Sequence, residues 1–510
     1  MQSHVVWHRL DAHFIESLSI AHFELLTDGE AFFYSRISQT FEVPRQSRGI
    51  SHWIKNTFFV IGRKGTGKSA IYNWINQVQN DYDALVSNLS FKDFPFEKLL
   101  KLSDDNFSKP NQYQSIWRNI ILTEIAVLIV TDQKCEPDEN FRQLRQYVDL
   151  VFGQNLTDLH KQITTKVEKN TVGLSYVALL SSENSQSFTL GNGLDNITTL
   201  NRMLETCIRN YLKCKGTMRY IVQFDQLDDN YNQYIENTGF FQSIISLFKA
   251  AYDINQTFRS ENIPAKTVVY LRSDIFYKIN QFDAESARWD QFRYHLNWSI
   301  VNRTDWQNPR LLKLINKRIS NSLPEISSEN IFDLIFNNEN VNIVSNGKKE
   351  DVFKYIIART FHRPRDVIQF CIKIKEQAST MNKYYYQTII NGEKEYSLWL
   401  LSELSNEIAP QIKEIDTLYE FIRLLGTGTY SLTDFKLKYA KFQGKIAIDA
   451  EDLLNILYNS GVIINISRGS GPSMLFSVIR NDRSVFNRDL RFFIHKGVRK
   501  GLYVSKFQRR

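Results

Sequence analysis

Apolar residues recur along this chain in two rhythms, short β-branched and aromatic runs that end in polar turns, and longer stretches that repeat every three to four positions. Thr57-Phe58-Phe59-Val60-Ile61, Asp83 to Leu89, Arg219 to Phe224, Thr267 to Leu271 and Tyr294 to Ile300 read as strands. Ile71, Trp74, Ile75 and Val78 fall at helical spacing, and Trp117 to Val130, Phe141 to Phe152 and Phe240 to Tyr252 read as further helices. Strands alternating with helices predict an α/β fold, a parallel sheet with helices on both faces. Ligands of such sheets bind at the carboxyl ends of the strands.

The same pattern divides the chain. Residues 1–50 read as a helical lead-in, with Phe14, Leu18, Phe23 and Leu26 as its apolar face. Residues 51–304 hold the sheet, with a helical insertion at about 100–200 that ends in the Ser-, Asn- and Thr-rich stretch Lys169 to Asn196 and whose loop could contact a partner. Residues 305–405 are helical: Asp305 opens one helix, and His362-Arg363-Pro364-Arg365-Asp366 opens another, with Pro364 at a first helical position. Residues 406–487 predict a winged helix. Its helices run through Leu418 to Leu425, from the cap Ser431 to Tyr439, and over Ala450 to Asn459. Two strands follow, Val462 to Ile466 and Met474 to Ile479, joined by a Gly- and Ser-rich turn. Residues 488–510 read as a basic tail interleaved with aromatics.

Composition changes this picture little. A chain of 510 residues implies two to four domains, and a net charge of +8 permits a nucleic-acid partner without demanding one. The four cysteines are scattered without metal or disulfide spacing and read as free thiols. The N-terminus shows no basic start followed by an apolar run. The most apolar run, Ile120 to Val130, is about eleven residues and too short to cross a bilayer. A cytoplasmic protein is expected, with no membrane partner.

The chemistry centres on Gly62-Arg63-Lys64-Gly65-Thr66-Gly67-Lys68-Ser69, which fits G-x-x-x-x-G-K-[ST] between a predicted strand and a predicted helix. The loop Gly62, Gly65, Thr66 and Gly67 can wrap a phosphate with inward N–H groups. Lys68 reaches the β- and γ-phosphates, and the Ser69 hydroxyl ligates Mg²⁺. The strand ending at Asp225 supplies the acid that holds Mg²⁺, directly or through water. Gln226 follows it and cannot act as a base; the nearest acids are Asp228 and Asp229.

Asp225-Gln226-Leu227-Asp228 resembles the D-x-h-D motif of the STAND ATPases, signal-transducing relatives of the AAA+ proteins. The resemblance covers roughly residues 50–480 without the insertion. It implies that Asp228 serves hydrolysis, that Arg272 is the sensor arginine after its strand, and that the Pro364 helix start belongs to a lid meeting the nucleotide. Family members often carry T-T-R where this chain has Tyr270-Leu271-Arg272. Arg272 can equally be a salt-bridging surface arginine. Arg365 is favoured over Arg363 to face nucleotide, because a basic residue at a helix N-terminus opposes the macrodipole and needs an anion to justify it. Asp366 reads as a dipole partner. Arg288 and Arg293 precede the fifth strand, where ring-forming relatives can carry a trans-acting arginine finger, but the reading as ordinary surface arginines is favoured.

The expected activity is slow, regulated ATP hydrolysis, with ATP and Mg²⁺ as cofactors. The resemblance implies a molecular switch acting on a separate protein effector or regulator, in bacterial stress response or anti-phage defence, and leaves room for a homo-oligomer. The rival is a DNA-binding AAA+-like initiator or loader. The helix Ala450 to Asn459 begins with Glu451 and Asp452 and carries no Arg or Lys, so the basic tail is the better nucleic-acid candidate.

Overall fold

The computed structural model describes residues 57–77, 84–90, 111, 113–152, 193–214, 219–227, 238–280, 282–283, 286–301, 305–306, 309–322, 331–336, 350–378, 384, 386–467 and 474–504. The lead-in 1–50, most of the stretch 169–196, Asp228 and Asp229, and the turn at 468–473 lie outside the described residues. The chain divides into two compact units. One runs through Lys68–Leu296 and includes the strand ending at Gly62; the other is Asn297–Arg510 together with Arg63–Gly67.

Among the described residues, the first unit is built on five parallel strands: β1 (Phe59–Gly62), β2 (Ala84–Ser90), β3 (Arg219–Asp225), β4 (Ala265–Arg272) and β5 (Arg293–Leu296). Their order is β2-β3-β4-β1-β5. The connection after β1 runs to one edge of the sheet, while the connection after β4 crosses to the other. The carboxyl end of β1 therefore lies at a switch point, where such sheets bind ligands. Alternation along β1 sorts its residues by face: Phe59 and Ile61 join one apolar cluster and Val60 joins the other.

The helix α1 (Lys68–Gln77) covers the Val60 face through Ile71, Trp74 and Ile75. The opposite face carries α2 (Gln114–Thr131), α3 (Glu139–Phe152), α4 (Gly193–Cys214), α5 (Thr238–Ser260) and α6 (Ser273–Ile279). The stretch read as an insertion thus supplies core. Trp117 of α2 meets the Phe224 ring of β3 edge to face at 6.1 Å and donates from Nε1 to Ser243 Oγ of α5 at 3.2 Å. At 18 residues α2 is longer than its sequence suggested and is apolar enough to cross a bilayer, yet 78% of it is buried inside this unit. The fifth strand is shorter than expected and ends at Leu296.

Glu124 is the polar exception on α2. It is fully buried, accepts a hydrogen bond from the Ser87 hydroxyl, and has its Oε1 atom unpartnered. Burial pushes its carboxyl up to about 7, outweighing the Ser87 hydrogen bond. The folded chain then holds a proton that the unfolded chain releases, so stability falls as pH rises from about 4.5 to 7 and is flat above. The loss is on the order of 3 kcal/mol. Denaturant unfolding at pH 5.5 and 8 should show about 2 kcal/mol of this loss in the wild type and a smaller one in Glu124→Gln; equal losses would contradict the assignment.

The second unit contains α7 (Arg310–Ser322), α8 (Ile331–Phe336), α9 (Val352–Ile357), α10 (Pro364–Glu376) and α11 (Tyr386–Ile408). The first of these starts at Arg310, with the Pro309 carbonyl accepting from Leu312 and Lys313; Asp305 and Trp306 are helical just before it. Pro364 occupies the first turn of α10, where its missing N–H costs nothing. Three more helices follow: α12 (Ile415–Leu425), α13 (Leu432–Tyr439) and α14 (Ala450–Asn459). Ser431 and Asp434 close a capping box on α13.

After them, β6 (Ile463–Ser467), β7 (Met474–Phe476) and β8 (Arg491–Ile494) form an antiparallel sheet in the order β7-β6-β8. The third strand and α15 (Lys496–Arg499) come from the residues expected to be a basic tail, which instead pack into the fold. Phe492, Ile494, Val498 and Leu502 are buried, and Gly501 N–H donates to Ser397 Oγ of α11 at 2.8 Å. Gly497 lies so close to the Arg359 carbonyl that a Cβ would stand 2.2 Å from it.

Candidate nucleotide-binding site

The glycine-rich loop has its two ends in the first unit. Gly62 closes β1, in register with Arg272 of β4 and Leu296 of β5. Lys68 opens α1, is buried, and donates from Nζ to the Gly62 carbonyl at 3.0 Å, so the ammonium folds back across the base of the loop. Ser69 is exposed in the first turn of α1. Asp225 ends β3 and is buried, and Gln226 after it takes a left-handed φ of 62°, turning the chain away at once.

Arg272 reaches the end of β4, as placed from the sequence, but its guanidinium grips Asp274 in bidentate fashion, Nε to Oδ1 at 3.0 Å and Nη2 to Oδ2 at 2.7 Å. This is the salt-bridging arrangement the sequence left open. Arg293 lies 3.2 Å from Asp290 with its guanidinium over the Phe276 ring, and Arg288 lies over Tyr252. With only 9% of its side chain exposed, Arg293 is not the ordinary surface arginine it was read as.

The middle of the loop belongs to the second unit. Gly65 and Gly67 have φ of 81° and 102°, conformations that favour glycine. Thr66 is buried and donates from Oγ1 to the Arg63 carbonyl at 2.8 Å, while its own carbonyl accepts from Trp298 Nε1 at 2.9 Å. Arg365 N–H approaches the Gly65 carbonyl at 3.4 Å. A Cβ on Gly65 would meet the Arg365 side chain at 3.1 Å. Glu403 of α11 pairs with Arg365 at 3.1 Å and with Lys64 at 3.4 Å.

The two arginines of the α10 start therefore differ. Arg363 is buried against Asp366, Nε to Oδ2 at 2.8 Å, and belongs to the interior. Arg365 is 39% exposed along its side chain and sits on the loop. Asp366 is more than a dipole partner, since it also accepts from Phe361 N–H at 3.0 Å and is fully buried. His362 is buried with Nδ1 accepting from Ile300 N–H at 3.2 Å. Burial, with the Arg480 and Arg63 charges adding to it, pushes its imidazole down to about 3, so it is neutral.

These residues fit a nucleoside triphosphate with Mg²⁺. In the first unit a buried lysine reaches the Gly62 carbonyl, an exposed serine hydroxyl stands at a helix start, and a buried acid ends a strand of the sheet; in the second, taken by itself, two loop glycines adopt positive φ.

Comparison with known proteins adds two likenesses. Residues 309–405, from α7 into α11, match a family described as the FunZ-associated C-terminal helical domain. The chain is also 23% identical over 378 residues to the putative transposon gamma-delta 80.3 kDa protein of Escherichia coli (strain K12). That alignment takes in 71% of this chain and 49% of the relative, so the chain spans about half the relative's length.

Sequence reasoning missed two groups. Glu403 gave no signal, since only the fold brings it to the loop. Gln223 did give one: it is a lone amide inside the apolar strand run Arg219 to Phe224, and a buried polar residue there needs partners.

Proposed function

We propose that the chain is an ATP- and Mg²⁺-binding switch of the STAND/AAA+ type, with slow hydrolysis, that regulates a protein partner in the cytoplasm. The loop geometry supports this most: positive φ at Gly65 and Gly67 with Lys68 drawn across the loop base. In this reading the loop N–H groups and Lys68 hold the β- and γ-phosphates, while Ser69 and Asp225 hold Mg²⁺. Bound Mg²⁺ supplies charge neutralisation between the phosphates. Arg63–Gly67 contact Trp298, Arg365 and Glu403, so a loop that responds to the γ-phosphate passes the change to α10 and α11. Those helices then serve as the lid, and the α12–β8 region, read as a winged helix, presents the surface that a separate effector meets. Stress response or anti-phage defence remains the proposed setting.

Two substitutions separate the roles. Asp225→Asn is expected to weaken Mg²⁺-dependent ATP binding and turnover together. Asp228→Asn is expected to leave binding intact and slow hydrolysis, since its role is toward water. Wild-type hydrolysis by Asp228→Asn would remove that residue from the mechanism.

A DNA-binding AAA+-like initiator or loader is the second reading. The E. coli relative, by its name a transposon protein, favours it. Against it, Lys436 and Arg488 are both paired with Glu451 at the start of α14, which lowers the positive charge offered to phosphates. Strongly salt-dependent DNA binding by the full chain would favour the second reading.

A further inference from the structure

Gln223 lies in the middle of β3 with no exposed surface. Residues two apart on a strand share a face, so Ile221, Gln223 and Asp225 all face the α1 side. Four residues from three elements converge on the Gln223 amide. Its Nε2 lies 3.3 Å from the Tyr72 carbonyl and 3.1 Å from Asn76 Oδ1, both on α1, and 3.1 Å from Asn88 Oδ1 on β2. Its Oε1 accepts from the Tyr270 hydroxyl of β4 at 2.5 Å. Asn88 is the register partner of Gln223, and Tyr270 stands two residues before Arg272. Every polar atom of the amide is used. A fully satisfied buried network of this kind fixes one arrangement of its elements.

The arrangement it fixes bears on the site. Lys68 and Ser69 begin α1 one turn before Tyr72, and Asp225 ends β3 two residues after Gln223. Burial first, and then the Asp225 charge, push the Tyr72 phenol up to about 12, which places Tyr72 within the electrostatic reach of the acid. Tyr270 is pushed up by burial first, then by Asp225 and Tyr72.

We infer that Gln223 is a positioning residue for the metal: by clamping α1 to β3 and β4 it sets the separation between the Ser69 hydroxyl and the Asp225 carboxylate. This rests on the nucleotide-binding reading above. Mg²⁺ demands near-ideal octahedral geometry with short ligand distances, so a small slip of α1 along β3 harms the metal before it harms phosphate binding by the loop. Residues that hold metal ligands in place through others commonly alter metal affinity when replaced.

The test is a Mg²⁺ titration of ATP binding by the full chain, run beside ATP binding in EDTA, for wild type, Gln223→Leu and Asn76→Ala. Asn76→Ala removes one acceptor on a half-buried helix face and leaves Gln223 its other partners. The half-saturating Mg²⁺ concentration should rise about tenfold in Asn76→Ala and further in Gln223→Leu, with ATP binding in EDTA unchanged. A purely structural role would lower the melting temperature while leaving the Mg²⁺ titration in place, and that result in Asn76→Ala overturns the inference. If Gln223→Leu does not fold, Asn76→Ala decides alone. Absence of ATP binding by the wild type under both conditions is a separate result, which removes the nucleotide reading and this inference with it.

Discussion

Lys68→Ala is expected to reduce ATP binding or turnover by about a hundredfold or more, the scale seen when one preorganised charge-stabilising donor is lost. Lys68 is buried, and its ammonium reaches the Gly62 carbonyl. A triphosphate in the loop offers that ammonium a stronger partner than the carbonyl, because acceptor as well as donor is then charged. The methyl of alanine offers neither charge nor reach. The fold should survive, since Lys68 begins α1 while Ile71, Trp74 and Ile75 carry its packing. Hydrolysis measured on chromatographically matched wild type and variant checks this, and equal rates would eliminate the loop mechanism.

Removal of residues 488–510 is expected to unfold much of the second unit rather than only to trim a basic extension. The deletion takes away β8, which is paired along β6 from Ile463 to Ile466, and the buried side chains Phe492, Ile494, Val498 and Leu502. At roughly 1.5–3 kcal/mol for each fully buried side chain, the loss is on the order of 6–12 kcal/mol. Whole domains are stable by only about 5–15 kcal/mol. The truncated chain should therefore show a lost or strongly lowered melting transition. A wild-type transition after truncation would contradict the packing described for β8 and α15. Any fall in nucleic-acid affinity after this deletion would then report unfolding, which makes the deletion a poor test of DNA binding.

What the sequence made legible follows from how local each signal is. The first strand, the glycine-rich loop, Pro364 at its helix start and the Ser431 cap depend on neighbours a few residues away, and each is found within a residue or two of where the pattern put it, whereas the fifth strand is shorter. The residues after 488 misled because their charges dominate the text while their apolar positions do the packing. Arg499 donates to the Ile494 carbonyl and Lys500 meets Glu393 at 2.6 Å, so these cations serve the fold instead of a solvated tail. Charge sign alone cannot distinguish those uses. The stretch after 100 misled in the opposite sense: its length before the next strand suggested an addition, yet α2 covers the sheet. Arg272 and Arg365 were located correctly at a strand end and a helix start, but their carboxylate partners, Asp274 and Glu403, emerge only from the structure.

The central claim is that the loop binds ATP with Mg²⁺ and passes its state to the helices it touches. Hydrogen–deuterium exchange of the full wild-type chain with Mg²⁺-ATP, with Mg²⁺-ADP and without nucleotide tests both halves of it. The account predicts protection of peptides spanning Arg63–Gly67 with either nucleotide, and a difference between ATP and ADP in peptides from the start of α10 and from α11 around Glu403. No protection of the loop with either nucleotide, or identical ATP and ADP patterns in α10 and α11, would contradict it.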